Sequence, residues 1–189
     1  TNIEFWAFHS CNALKSISIP SGVTSIGQGA FSDCSAITNV MLDVTVPLID
    51  YSIFDGCSGL VSIEVGSSNP VYSSLDGVLY NVDRTILIQC PQGRIGNDFL
   101  VPATVKSIGD HAFYRCAKLH GVTLPNSVTN ISDWAFSEFG EYLASISIPD
   151  SVLTIGNGAF YSCNSVANLE IPGSVTSIGE SAFSSCGNL

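Results

Sequence analysis

Apolar and polar positions along this chain follow a pattern that returns about every 23 residues. A phenylalanine, preceded by Ala in most copies, marks each repeat, and a Cys follows three residues later in most copies. The phenylalanines are Phe8, Phe31, Phe54, Phe113, Phe136, Phe160 and Phe183. The cysteines are Cys11, Cys34, Cys57, Cys116, Cys163 and Cys186, and Phe139 takes this position in the remaining copy. One repeat is too short to bury its own apolar residues, so the pattern predicts stacked coils that share a core.

Within each repeat, a short apolar alternation ends in Pro. Its copies lie at residues 17–20, 122–125, 146–149 and 169–172. A period of two predicts a strand with one buried face, which ends at Pro because Pro has no amide hydrogen to donate. A second apolar pair, such as Val128 and Ile131, predicts another short extended segment. The stretch from the following Gly through Ala-Phe is too short for a full helix and predicts one helical or 3-10 turn.

The spacing is broken once, because Phe54 and Phe113 are 59 residues apart. We expect an enlarged coil at about residues 66–102. Residues 73–80 and 85–90 have the composition of two strands joined by residues 81–84, and Asp76-Gly77 is a further turn signal.

Charge argues against two classes of partner. The chain has 16 acidic and 6 basic residues, a formal net charge of -10, and no run of Lys or Arg that could neutralise phosphates. Nucleic acid and anionic membrane surfaces are therefore not expected to bind. No apolar stretch approaches the roughly 18 to 20 residues that cross a bilayer, so we expect no membrane insertion by this segment.

The coil from Ile19-Pro20 through Val23, Ile26-Gly27, Ala30-Phe31 and Cys34 resembles the BspA-like subclass of leucine-rich repeat proteins. The resemblance covers essentially the whole chain; Asp43, Asp50 and Ile53 are local departures from its pattern. It implies a leucine-rich repeat solenoid of the α/β horseshoe-type class: a β-rich, right-handed coil in one domain, residues 1–189. It also implies a cell-surface or secreted protein with members that bind host matrix proteins or other cells.

Candidate chemistry is sparse. The cysteine spacings follow the repeat and contain no Cys-x-x-Cys pair, which predicts buried free thiols and leaves a bridge or a metal as alternatives. Cys90 lies outside the ladder and is the candidate for reactivity. His9, His111 and His120 are scattered, and no nucleophile-elbow sequence accompanies them. We expect no catalytic residue, no metal and no cofactor, and give little weight to the Asn130-Ile131-Ser132 glycosylation triplet.

The expected binding surface is the concave face, where side chains next to the buried strand residues point outward. These positions are Ser16, Ser18, Asn39, Met41, Ser62, Glu64, Leu100, Gly121, Thr123, Ser145, Ser147, Asn168 and Glu170. The face is small, polar and without the Trp, Tyr and Arg that binding hot spots favour. The alternative site is the exposed part of the hairpin, with Tyr72, Tyr80 and Arg84.

The resulting hypothesis is a non-enzymatic protein-binding or adhesion module. Its expected partner is a protein or glycan of a host or neighbouring cell surface or of the extracellular matrix. The alternative is a rigid spacer or repeat stalk that presents another domain. The sequence has no polar capping unit at either end, which predicts an excerpt of a longer array or end-to-end self-association.

Overall fold

The computed structural model describes residues 1–43, 51–96, 98–140 and 146–189. Short strands dominate these ranges, and the helical structure assigned there is one 3-10 helix at Tyr51–Phe54. The strands are β1 (Asn2–Ile3), β2 (Ser16–Ile19), β3 (Ser25–Ile26), β4 (Asn39–Leu42), β5 (Ser62–Val65), β6 (Tyr72–Leu75), β7 (Val78–Asn81), β8 (Ile86–Gln89), β9 (Phe99–Leu100), β10 (Ser107–Ile108), β11 (Val122–Thr123), β12 (Asn130–Ile131), β13 (Thr154–Ile155) and β14 (Ser177–Ile178). The chain forms two compact units, which we describe separately: the first unit comprises Thr1–Asp83 and Cys90–Arg94, and the second comprises Arg84–Gln89 and Ile95–Leu189.

In the first unit, the concave strands of successive coils pair in register. β2, β4 and β5 form a parallel sheet in which Ser16 lies beside Asn39 and Asn39 beside Ser62. Their apolar neighbours, among them Val40 and Ile63, point into the core and are buried. The 23-residue period thus places equivalent residues side by side, and the predicted strand at residues 17–20 is confirmed at Ser16–Ile19.

In the second unit, the second short segment of each coil forms the longer sheet. β8, β10, β12, β13 and β14 pair in parallel in that order. Ile108, Ile131 and Ile155 stack as a buried ladder within it. The predicted second extended segment is therefore confirmed.

The concave strands of the second unit are less regular than the repeat predicted. β9 and β11 pair, but residues 146–149 and 169–172 form no assigned strand. No backbone hydrogen bond between described residues joins Val122–Leu124 to Ile146–Ile148. The coil between Phe136 and Phe160 has one extra residue. This extra residue lies between the segments at residues 122–125 and 146–149, where the pairing is interrupted.

Stacked phenylalanine rings form the centre of each unit. In the first unit, the ring centroids of Phe8 and Phe31 lie 5.0 Å apart. In the second, Phe136 lies 4.9 Å from Phe113 and 5.2 Å from Phe160, with the rings nearly parallel. The core therefore continues from coil to coil through identical side chains.

The turn that carries each phenylalanine is a hydrogen-bonded turn in most described coils, as where Cys116 N donates to Phe113 O at 3.2 Å, and Tyr51–Phe54 is the one 3-10 helix among the described residues. Residues two before or two after the phenylalanine take a positive φ in both units. They are Trp6, Ser10, Gly29, Asp33, Gly56, His111, Arg115, Trp134, Glu138, Gly158, Ser162, Ser181 and Ser185. With this conformation on either side of the phenylalanine, the N–H of the phenylalanine can donate to a carbonyl oxygen of the next coil. Phe113 N, for example, donates to Ala135 O at 2.7 Å. The predicted helical turn is wrong for these coils because their amides bond across coils.

The enlarged coil contains a hairpin at a different place from the predicted one. Residues 73–80, predicted as one strand, turn back at Asp76-Gly77, and β6 pairs antiparallel with β7. Asp76 has φ 51° and Gly77 has φ 75°, the pair of positive values that a type I′ hairpin requires. A Cβ at Gly77 would lie 2.8 Å from Ser62 Oγ, so only glycine fits. The second predicted strand, residues 85–90, is confirmed as β8.

Candidate functional site

The concave face of the first unit carries the expected polar side chains. Ser16, Ser18, Asn39 and Met41 are exposed beside the buried residues of β2 and β4. In the third coil, Glu64 is already engaged by this chain's own hydroxyls.

Ser62 Oγ donates to Glu64 Oε1 at 2.6 Å, and Ser74 Oγ of the hairpin donates to Glu64 Oε2 at 3.2 Å. Two donors on one carboxylate hold it in place. About half of its acceptor sites are therefore already used within this chain.

The second unit has a groove of about 800 Å³ on its concave side. Three stretches of successive coils line most of it: residues 121–126, residues 146–150, and Glu170 with Pro172. The lining residues are Asp98, Gly121, Val122, Thr123, Leu124, Asn126, Ile146, Ser147, Ile148, Pro149, Asp150, Glu170 and Pro172. This volume falls within the range of sites that hold a ligand or a peptide segment.

The groove coincides with the interruption in the sheet. In the first unit, the equivalent strands β4 and β5 bond directly to each other over four residues. At the groove, residues 122–124 and 146–148 make no such bonds among themselves. Thr123 O accepts from Val101 N at 3.0 Å on the β9 side, so the interruption is confined to the side that faces Ile146–Ile148.

Four of the predicted concave residues line this groove: Gly121, Thr123, Ser147 and Glu170. Asn168 is exposed but does not line the groove, and Ser145 lies outside the described residues.

Sequence reasoning missed Asp98, Asn126 and Asp150 as groove residues. Asn126 and Asp150 each directly follow the Pro that ends a strand, at Pro125 and Pro149. Aligning the residue after each Pro could have revealed them.

The alternative hairpin site is wrong in one respect: its tyrosines are not exposed. Tyr72 retains 5% and Tyr80 1% of its surface exposed, because both side chains pack into the core as β6 and β7 fold over β5. Arg84 is half-buried. The hairpin therefore does not present the two aromatic anchors expected of it.

A family model for the BspA-type leucine-rich repeat region matches residues 1–88 and 94–189 with six copies. The chain belongs to the BspA-type leucine-rich repeat family. The predicted leucine-rich repeat solenoid is also confirmed by solved structures of the same fold.

Three solved structures resemble this BspA-type repeat chain. A leucine-rich repeat protein from Eubacterium ventriosum is 27% identical, with a TM-score of 0.76, over 100% of this chain and 62% of that one. A leucine-rich cell surface protein from Faecalibacterium prausnitzii is 30% identical, with a TM-score of 0.66, over 98% of this chain and 61% of that one. The pneumococcal vaccine antigen PcpA, at 24% identity, shares the fold, with a TM-score of 0.75, over 94% of this chain and 50% of that one. This chain therefore spans between half and two thirds of their lengths. No curated protein sequence matches it.

The cysteines of this BspA-type chain are free, and five of the seven are buried. Cys57 Sγ donates to Phe31 O of the preceding coil at 3.1 Å, and Cys163 Sγ donates to Phe136 O at 3.0 Å. Burial raises the pKa of the Cys57 thiol and of the Cys163 thiol, each to about 12. The prediction of buried free thiols is confirmed for these residues. Each of the two thiols donates a hydrogen bond to a backbone carbonyl oxygen in the phenylalanine turn of the preceding coil. Cys90 is buried as well, which argues against the reactivity considered for it.

A polar ladder that the sequence did not indicate lies on the second sheet. Asn130 Nδ2 donates to Ser107 Oγ at 2.9 Å and to Ser132 Oγ at 2.8 Å, and its Oδ1 accepts from Thr154 Oγ1. A glycan on Asn130 would replace one of the two Nδ2 hydrogens and so remove one of these two donated bonds.

The rest of the described chain adds two observations. No three or more His, Cys, Asp or Glu side chains among these residues are arranged to hold a metal ion. None of the helical structure described is long or apolar enough to span a bilayer.

Proposed function

We propose that this chain is a protein-binding module of a cell-surface or secreted protein, and that its partner occupies the groove of the second unit. The groove itself supports this most directly. It brings together exposed side chains from three concave segments, Thr123, Ser147 and Glu170, which a single extended partner could contact at once.

Family membership supports the binding role, since leucine-rich repeat solenoids present extended concave surfaces. The similar Faecalibacterium prausnitzii protein is named a cell surface protein, which supports the proposed location. An adhesive partner, such as a matrix protein or a glycan of another cell, remains part of the proposal.

The experiment measures binding of the purified chain to a panel of immobilised extracellular matrix proteins and glycans. A groove variant, Thr123→Arg with Ser147→Arg, places two bulky charged side chains in the groove. A control variant, Ser16→Arg with Asn39→Arg, makes the same change on the concave face of the first unit. Saturable binding that the groove variant loses and the control keeps would support the proposal; binding that both keep would refute the groove.

A rigid spacer is the second candidate, and the continuous ring stack favours it. Phe113, Phe136, Phe160 and Phe183 stack with centroid distances of 4.9, 5.2 and 5.4 Å, so each coil of the second unit is held by its neighbours. A spacer would bind nothing on the panel and would tolerate both arginine variants.

A further inference from the structure

The charged side chains of the groove all have the same sign. Asp98, Asp150 and Glu170 line it, and no Lys, Arg or His is among the lining residues. All three carboxylates are exposed, and none has a hydrogen bond or ion pair with another described residue.

Several carboxylates elsewhere in the second unit are already paired. Glu138 Oε2 accepts from Arg115 Nε at 2.8 Å. Asp133 accepts from the backbone N of Asn157 at 2.7 Å and from its side-chain amide at 3.1 Å. Compared with these, the groove carboxylates are available to an outside group.

The three charges are dispersed along the groove. No three acidic, His or Cys side chains in the described residues converge closely enough to hold a metal ion. Charges spread along a cleft match a chain of positive charges better than a single cation. A cleft lined by one sign of charge also concentrates the field between its low-dielectric walls.

Apolar surface is exposed beside the groove. Val122, Leu124 and Ile148 are lining residues but are buried in the core, so their side chains offer little surface. Leu100, which lies beside Thr123 in the pairing of β9 with β11, is 68% exposed. An occupant that pairs with the carboxylates can therefore also bury aliphatic surface on this exposed leucine.

We propose that the groove binds an extended segment of a partner protein that carries Lys or Arg side chains interspersed with apolar ones. This inference rests on the proposed function and names the chemistry of its partner. The carboxylates would pair with the partner's cations, and the backbone groups at the interrupted sheet would bond with its peptide groups.

The test uses the whole chain and two fluorescent peptides of about ten residues, a length that spans a groove of this kind. One peptide alternates Lys with Leu and Ser, and the other has Glu in place of each Lys. The groove variant is Asp98→Asn, Asp150→Asn, Glu170→Gln. The matched control is Glu4→Gln, Asp83→Asn, Glu180→Gln, which removes the same charge from exposed positions outside the groove.

We expect the Lys peptide to bind the unaltered chain and the Glu peptide not to bind. The groove variant should raise the Kd of the Lys peptide by about tenfold or more, and the control by less than about twofold. Raising the salt from about 0.05 to 0.3 M should weaken binding to the unaltered chain more than to the groove variant. Equal losses in the two variants, or equal binding of both peptides, would overturn the inference. Thermal unfolding of both variants checks that they remain folded.

The same variants separate this inference from the proposed function. If the arginine variant of the groove abolishes binding to a matrix partner but the neutralised groove retains it, the groove binds protein and the inference is wrong. If neither the arginine variant nor the neutralised groove variant weakens binding of the matrix partner, the groove is not the binding site of that partner. That result would refute the proposed function itself.

Discussion

Replacing a phenylalanine in the middle of the ring stack should cost more than replacing one with a single neighbour. Phe136 is fully buried and stacks on Phe113 and Phe160, with interplanar angles of 6° and 2°. Phe183 is half-buried and stacks on Phe160 alone among the described rings. Phe136→Leu keeps an apolar side chain but removes two stacked ring pairs and the tilted contact with Phe139 at 6.0 Å. At about 0.5 to 1.5 kcal/mol for each of these three pairs, the cost is about 1.5 to 4.5 kcal/mol.

Phe183→Leu removes one ring pair at a partly exposed site, so its cost should be at most about half as large. Urea unfolding followed by circular dichroism measures both changes in the free energy of unfolding. The ratio of the two changes in the free energy of unfolding is the better test, because the stability of a solenoid is a sum of nearest-neighbour contributions. Equal costs for the two substitutions, or a larger cost for Phe183→Leu, would refute the idea that ring stacking joins the coils.

Two further predictions concern the thiols and one glycine. Because burial raises the pKa of Cys57 and Cys163 from 9.0 to about 12, their contribution to stability is complete below about pH 9. It is lost as the pH rises from there to about 12, by about 1.4 kcal/mol per thiol per pH unit. Urea unfolding at about pH 8 and pH 10 should show this loss, and Cys163→Ala should reduce it by about 1.4 kcal/mol; an unchanged loss would contradict the assignment. Gly158→Ala should destabilise the chain by about 1 to 2 kcal/mol, because φ is +55° there and a Cβ would lie 2.5 Å from the Trp134 ring. Gly173→Ala, where a Cβ meets nothing within 4 Å, is the matched control and should change stability by less than about 0.5 kcal/mol in thermal unfolding.

The candidate site was only partly predictable from the sequence. The outward positions of the strands could be read from their period of two, and Thr123, Ser147 and Glu170 do line the groove. The sequence could not show that the groove lies in the second unit. That location depends on where neighbouring strands stop pairing, which is a property of the assembled coils. The burial of Tyr72 and Tyr80 also depends on the assembled coils. The sequence of a hairpin strand does not show which of its two faces a neighbouring coil covers.

The turns illustrate the difference between local and tertiary information. A positive φ at Trp134 is unfavourable for an isolated bulky residue, so its own sequence gives no reason to expect it. The neighbouring coils supply the reason: Trp134 N donates to Asn157 O at 2.8 Å, and its ring lies over Gly158. The sequence alone gives no reason to connect Trp134 with Gly158 of the next coil. Their contact can be recognised only when the turn geometry is known.

By itself, the sequence determined the solenoid and the identity of its buried residues. A 23-residue period leaves each coil unable to bury its apolar positions alone, so stacking in register is the arrangement that covers them. Only the tertiary structure decided that the hairpin turns at Asp76-Gly77 instead of at residues 81–84, which turn amides bond across adjacent coils, and where the acidic groove beside Thr123 lies. Each of these depends on how one coil meets the next, where hydrogen bonds form or fail between residues that are more than twenty positions apart in most coils.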